Sequence, residues 1–100
     1  GDNGRALGCL QIWKVVVDDV NRVSKKKYTH ADAYDRRKAR EICEIYLRHY
    51  GNHAAKNGVN VTDEVLARIW NGGPKGYIKD STKPYWKKVQ AVLNYEKRRR

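Results

Sequence analysis

Two short segments combine turn chemistry with side chains suited to holding a sugar. In Gly4-Arg5-Ala6-Leu7-Gly8-Cys9-Leu10-Gln11-Ile12, Gly8 permits a tight turn and Gln11 presents an amide just as a helix begins. In Ala67-Arg68-Ile69-Trp70-Asn71-Gly72-Gly73-Pro74, a Gly-Gly-Pro turn ends a helix, and Gly76, Tyr77 and Pro84-Tyr85-Trp86-Lys87-Lys88-Val89 follow. Trp70, Tyr77, Tyr85 and Trp86 have flat faces that could stack on pyranose rings, although aromatics at helix ends usually pack in a core of this size. Each segment alone is ordinary. A Gly-Gly-Pro most often only stops a helix, and a Gln after a turn is most often only exposed. General acid chemistry would need a carboxyl group, and Glu41, Glu44 and Glu64 are available. Glu41 and Glu44 stand near Arg40 and Arg48 on one helix, where pairing one turn apart is the simpler explanation, and Glu64 suits the first turn of a helix. His30, His49 and His53 have no acid or nucleophile at a recognisable spacing and read as surface residues. Cys9 and Cys43 allow at most one bridge and fit no zinc spacing, so two buried thiols, with no metal and no cofactor, are expected.

The elements that must position these residues are helices. Trp13, Val16, Val17, Val20 and Val23 recur at helical spacing from Gln11 to about Val23. Ser24 to Lys27 breaks that pattern. Asp35 can cap a second helix whose inner face carries Ala39, Ile42, Cys43, Tyr46, Leu47 and Tyr50, with Gly51 as its left-handed stop. Asn52 to Asn60 reads as a loop, and Thr62 caps a short helix from Asp63 to about Trp70. Asn71 suits a left-handed stop position there. Pro84 opens a last helix that turns Tyr85 or Trp86, Val89, Val92 and Leu93 inward. Trp13, Val16, Val20, Ile42, Tyr46, Leu66, Ile69, Val89 and Val92 are the expected core, with Trp86 inside and Tyr77 toward a cleft. The fold class is therefore all-α, with at most a minor β hairpin.

The 100 residues give room for one domain, 1–100, with one small core. No apolar run reaches the roughly 18 residues of a membrane span, and no intact secretion signal is expected within these residues. Twenty-two Lys and Arg against 11 Asp and Glu give a formal charge of +11, which calls for an anionic partner. Nucleic acid meets that demand on charge alone, without a helix-turn-helix or RNA-binding signature to support it. The run Lys97 to Arg100 reads as a solvated tail.

The two segments together resemble the lysozyme superfamily. The first is similar to the G-A-x-G-x-x-Q-I signature of lytic transglycosylases and invertebrate-type lysozymes. The second resembles the A-R-I-x-N-G-G-P-x-G and Y-W-x-K-V segments of invertebrate-type lysozymes and their bacterial relatives, and the Y-N-A-G-P of transglycosylases. The resemblance covers nearly the whole chain, in family order, with a long helix between the motifs. Two cysteines are few for the invertebrate-type enzymes, which favours bacterial or phage-borne relatives. Transglycosylases carry Tyr where Trp70 stands and Ala where Gly72 stands, so hydrolysis and transglycosylation both remain open.

The resemblance implies a peptidoglycan-directed enzyme that cleaves β-1,4 amino-sugar linkages as a monomer in a secreted, periplasmic or phage-borne setting. The acid of these families is a Glu in an E-S-x-x-N pattern upstream of the first motif. It would fall before Gly1, and the chain is expected to be truncated at its N-terminus. Asp2 is similar in place to the second catalytic carboxylate, and Gln11, Asn71, Gly72 and Tyr77 are the implied substrate contacts. The alternative is a non-catalytic lysozyme-like protein that uses its basic surface to hold wall polymer, a protein partner or nucleic acid.

Overall fold

The computed structural model describes Ile12 and residues 14–99, and within them every regular element is helical. Four α-helices run Lys14–Ser24 (α1), Arg36–Lys56 (α2), Asp63–Gly72 (α3) and Lys83–Arg99 (α4). Short 3-10 turns occupy His30–Tyr34, Gly76–Ile78 and Asp80–Thr82. No strand occurs among the described residues, in keeping with the all-α reading. No described helix is long and apolar enough to cross a membrane. Trp13, like the whole Gly4 to Gln11 segment, lies outside the described residues.

The chain divides into two compact units, residues 1–49 and residues 50–100, and helix α2 contributes to both. In the first, Ile12, Val17, Val20, Ala39, Ile42 and Tyr46 are buried. Val17 and Val20 share one stripe of α1, and Ala39, Ile42 and Tyr46 share one stripe of α2, which is the spacing an amphipathic helix needs to bury one face. Val16 is only half-buried, because Val17 takes the inward position beside it. The α1–α2 connection is closed by hydrogen bonds. The Asn21 side chain donates to Tyr28 O and accepts from Tyr28 N, both at 2.9 Å, and the Tyr28 hydroxyl donates to Glu41 Oε1 at 2.7 Å. Thr29 and Asp32 then form a reciprocal capping box at the 3-10 turn. That bond from the Thr29 amide is the main reason the Asp32 carboxyl lies below its ordinary range. Asp35 caps α2 as expected, its carboxylate accepting from Lys38 N at 3.0 Å.

Helix α2 does not stop at Gly51. It continues to Lys56, so most of the expected loop from Asn52 is helical. The stop is Gly58, with φ +85°, where Val59 N donates to Ala54 O at 3.1 Å and Gly58 N to Ala55 O at 3.0 Å. Those two bonds are the Schellman pattern, which needs a left-handed residue at the Gly58 position. Gly51 serves packing instead: a side-chain carbon there would sit 3.1 Å from Leu66 Cδ2.

In the second unit, α3 packs against α4 and both intervening 3-10 turns, with Ala54 and Ile69 buried. Val92 is 59% exposed and leaves the expected core; Val89, Leu93 and Leu66 are half-buried. Trp86 is half-buried rather than enclosed.

Candidate functional site

Helix α3 begins as the sequence suggests, with Thr62 Oγ1 accepting from Val65 N at 3.2 Å and Asp63 and Glu64 in the first turn. It extends through Asn71 and Gly72 and ends at Gly73, with φ +92°, whose N–H donates to Ile69 O at 2.8 Å. Asn71 is thus a helical residue. The stop falls to Gly73, whose φ of +92° and ψ of −174° lie outside the left-handed α region, in a conformation essentially open only to a residue without a Cβ.

Arg68 organises everything that follows. It is 8% exposed, and its guanidinium serves three partners. Nε donates to Thr82 Oγ1 at 2.7 Å, one terminal nitrogen to Glu64 Oε2 at 2.7 Å and the other to Lys79 O at 2.9 Å. The Thr82 hydroxyl has the carbonyls of Gly76 and Lys79 within donating reach at 2.7 and 2.9 Å. A buried guanidinium is tolerated only with such pairing. The rigid fork therefore fixes both 3-10 turns against the end of α3. Lys79 Nζ closes the arrangement by donating to Gly72 O at 2.8 Å, a cation at the negative end of the helix.

The glycines of the motif follow from this packing. A Cβ on Gly76 would lie 1.9 Å from the Arg68 carbonyl oxygen, and one on Gly72 would lie 2.5 Å from Thr82 Cγ2. The 3-10 turn carrying Tyr77 packs against α3, whose C-terminal end carries Asn71 and Gly72. Asn71 is exposed, and Gly72 and Tyr77 are half-buried. Of the expected site residues, these three belong to one turn region; Asp2 and Gln11 lie outside the described residues.

The expected pairing of Glu41 and Glu44 with Arg40 and Arg48 does not form among the described ion pairs. Glu41 instead accepts from Tyr28, which pushes that phenol up to about 12, and Glu44 is exposed. Of Glu41, Glu44 and Glu64, it is Glu64 that pairs with an arginine, Arg68. Cys43 is a free thiol, raised to about 11 by burial, with the Glu44 charge adding. His30, His49 and His53 are exposed, as expected, though His30 Nε2 lies 3.0 Å from Ile12 O. Among the described residues no group of three or more His, Cys, Asp and Glu could hold a metal. Arg68 and Thr82 escaped the reading from sequence. The available signal was an arginine inside the apolar run of α3, four residues after Glu64.

The chain is 34% identical over 90 residues to a lysozyme of Ostrea edulis, and a lysozyme-like relationship is thereby shown. The matched region is 88% of this chain and 62% of that relative, so the chain spans less than two thirds of the relative's length. No protein-family model matches the chain. No solved structure matches it either.

Proposed function

We propose that this chain is the sugar-holding part of a lysozyme-type glycosidase that acts on the β-1,4 amino-sugar linkages of peptidoglycan. The observation that carries the reading is the identity to a lysozyme over most of the chain. The turn around Arg68 supports it, because it offers Asn71 to solvent on a rigid base with Tyr77 nearby in sequence. Gln11 and Asn71 supply amide contacts, Gly72 lets the backbone come close, and Tyr77 offers an apolar face. Asp2 acts as the second carboxylate.

Cleavage needs a carboxyl group held protonated in an apolar setting, close to the leaving oxygen. The described glutamates suit other tasks: Glu41 holds Tyr28, Glu64 holds Arg68, and Glu44 and Glu96 are exposed. In this reading the acid is the Glu of an E-S-x-x-N helix ahead of Gly1. Co-sedimentation with purified wall sacculi tests the sugar contacts. Binding should weaken in Asn71→Ala and Tyr77→Ala and fall when soluble amino-sugar oligomers compete. Binding that neither variant nor competitor changes would move the weight to the non-catalytic alternative, in which charge alone holds the wall.

A further inference from the structure

Six exposed cations in the first unit, Lys25, Lys26, Lys27, Arg36, Arg37 and Arg40, take part in no ion pair among the described residues. Most acids nearby in sequence are otherwise engaged, and the exposed Glu44, one turn past Arg40, forms no ion pair with it among the described residues. Asp32 pairs with Lys38, Asp35 caps α2, Glu41 accepts from Tyr28, and Asp18 and Asp19 pair with Lys14 and Arg22. The two basic stretches are fastened to each other. Asn21 clamps the backbone of Tyr28 directly after Lys27, and the Tyr28 hydroxyl reaches Glu41, one residue past Arg40 and one turn past Arg37.

Both stretches sit where local physics disfavours them. Lys25 ends α1 with φ +64°, the sole non-glycine at positive φ among the described residues, at a position that favours glycine. Arg36, Arg37 and Lys38 fill the first turn of α2, which holds no acid, although the positive end of the helix dipole repels cations. Sequences break local rules in this way mainly where function asks for it. Six cations on two stretches joined through Tyr28 also outnumber the carboxylates that a glycan with widely spaced acids presents over a short length. A line of regularly spaced phosphates matches them better, with counterion release adding to the attraction.

We propose that this patch docks a linear phosphodiester polymer of the bacterial wall, a grip additional to the sugar contacts around Asn71. The inference rests on the wall-directed reading above. The test is binding of the full chain to two preparations of sacculi, one retaining its phosphodiester polymer and one stripped of it by acid. Intact sacculi should bind at least about 10-fold more tightly, the difference should shrink with salt, and Lys25→Ser/Lys26→Ser/Lys27→Ser should remove most of it. Lys25→Gly separates function from structure, because it should raise the thermal midpoint while weakening binding to intact sacculi. Equal binding to both preparations, or full binding by the triple variant, overturns the patch while leaving the sugar-binding reading in place. Loss of binding to stripped sacculi, with intact sacculi still bound, removes the sugar reading and keeps the patch. Equal or tighter binding to single-stranded DNA at matched phosphate concentration overturns the choice of wall polymer.

Discussion

Arg68 Nε donates to Thr82 Oγ1 at 2.7 Å across 14 residues of chain, and this bond holds the Gly-Gly-Pro turn in place. The hydroxyl in turn faces the carbonyls of Gly76 and Lys79, so one side chain couples the end of α3 to both 3-10 turns. Thr82→Val keeps the shape and removes the hydroxyl. It should cost about 1–3 kcal/mol, because Arg68 loses a buried partner. Urea unfolding midpoints measure the loss, and a change below about 0.5 kcal/mol would mean the bond is incidental.

Gly76 and Gly72 should respond differently to the same substitution. Gly76→Ala drives a carbon into the Arg68 backbone, which cannot move without breaking α3, and should cost more than about 3 kcal/mol or prevent folding. Gly72→Ala is too close only to the Thr82 methyl group, with the Lys79 side chain at ordinary contact distance. Adding Thr82→Ser, which removes that methyl and keeps the hydroxyl, should recover most of the loss, and a double-mutant cycle reads the coupling. Independent effects would contradict the packing described.

The two glycines at the end of α2 should have opposite signs. Gly51→Ala lies inside a helix and meets only the end of the half-buried Leu66 side chain, so the propensity gain of up to about 1 kcal/mol should prevail. Gly58→Ala, at φ +85°, should cost about 1 kcal/mol. Thermal midpoints that moved the other way would return the helix stop to Gly51.

The Tyr28–Glu41 bond makes stability fall in alkali. The phenol is raised from its ordinary 10.0 to about 12, first by the hydrogen bond to Glu41, then by burial and the charges of Glu41 and Asp32. A group raised on folding stabilises fully below its unfolded value, so this contribution is present below pH 10 and is lost as pH rises toward 12. Tyr28→Phe should flatten that part of the stability profile between pH 9 and 12, followed by denaturant midpoints. An unchanged slope would mean the bond contributes nothing in solution.

These outcomes trace back to what the sequence could convey. The stripes of α1 and α2, the Asp35 and Thr62 caps and the turn after α3 were legible, because periodicity and capping act over a few residues. The end of α2 was not: Gly51 and Gly58 are alike as letters, and the choice between them rests on Leu66 packing and the bonds from Gly58 and Val59 to α2. Val92 was misplaced for a related reason, since an apolar residue on α4 has no local mark of which neighbours cover it. For the candidate site, the Gly-Gly-Pro stop was legible, whereas Asn71, read as suited to a left-handed stop, is helical. The dependence of the motif glycines on Arg68 was hidden, because Thr82 lies beyond the motif and only the folded chain brings Arg68 and Thr82 together.

The most direct measurement is loss of turbidity of wall suspensions, comparing residues 1–100 with a version extended upstream by a helix bearing E-S-x-x-N. General acid catalysis contributes about 10²–10⁴-fold in rate, so sugar contacts without a positioned proton donor should hold wall material and leave it intact. The account predicts no lysis by residues 1–100, lysis by the extended protein, and loss of that lysis when the added Glu becomes Gln. Robust lysis by the 100-residue chain would contradict it and make one of Asp2, Glu41, Glu44 or Glu64 the acid.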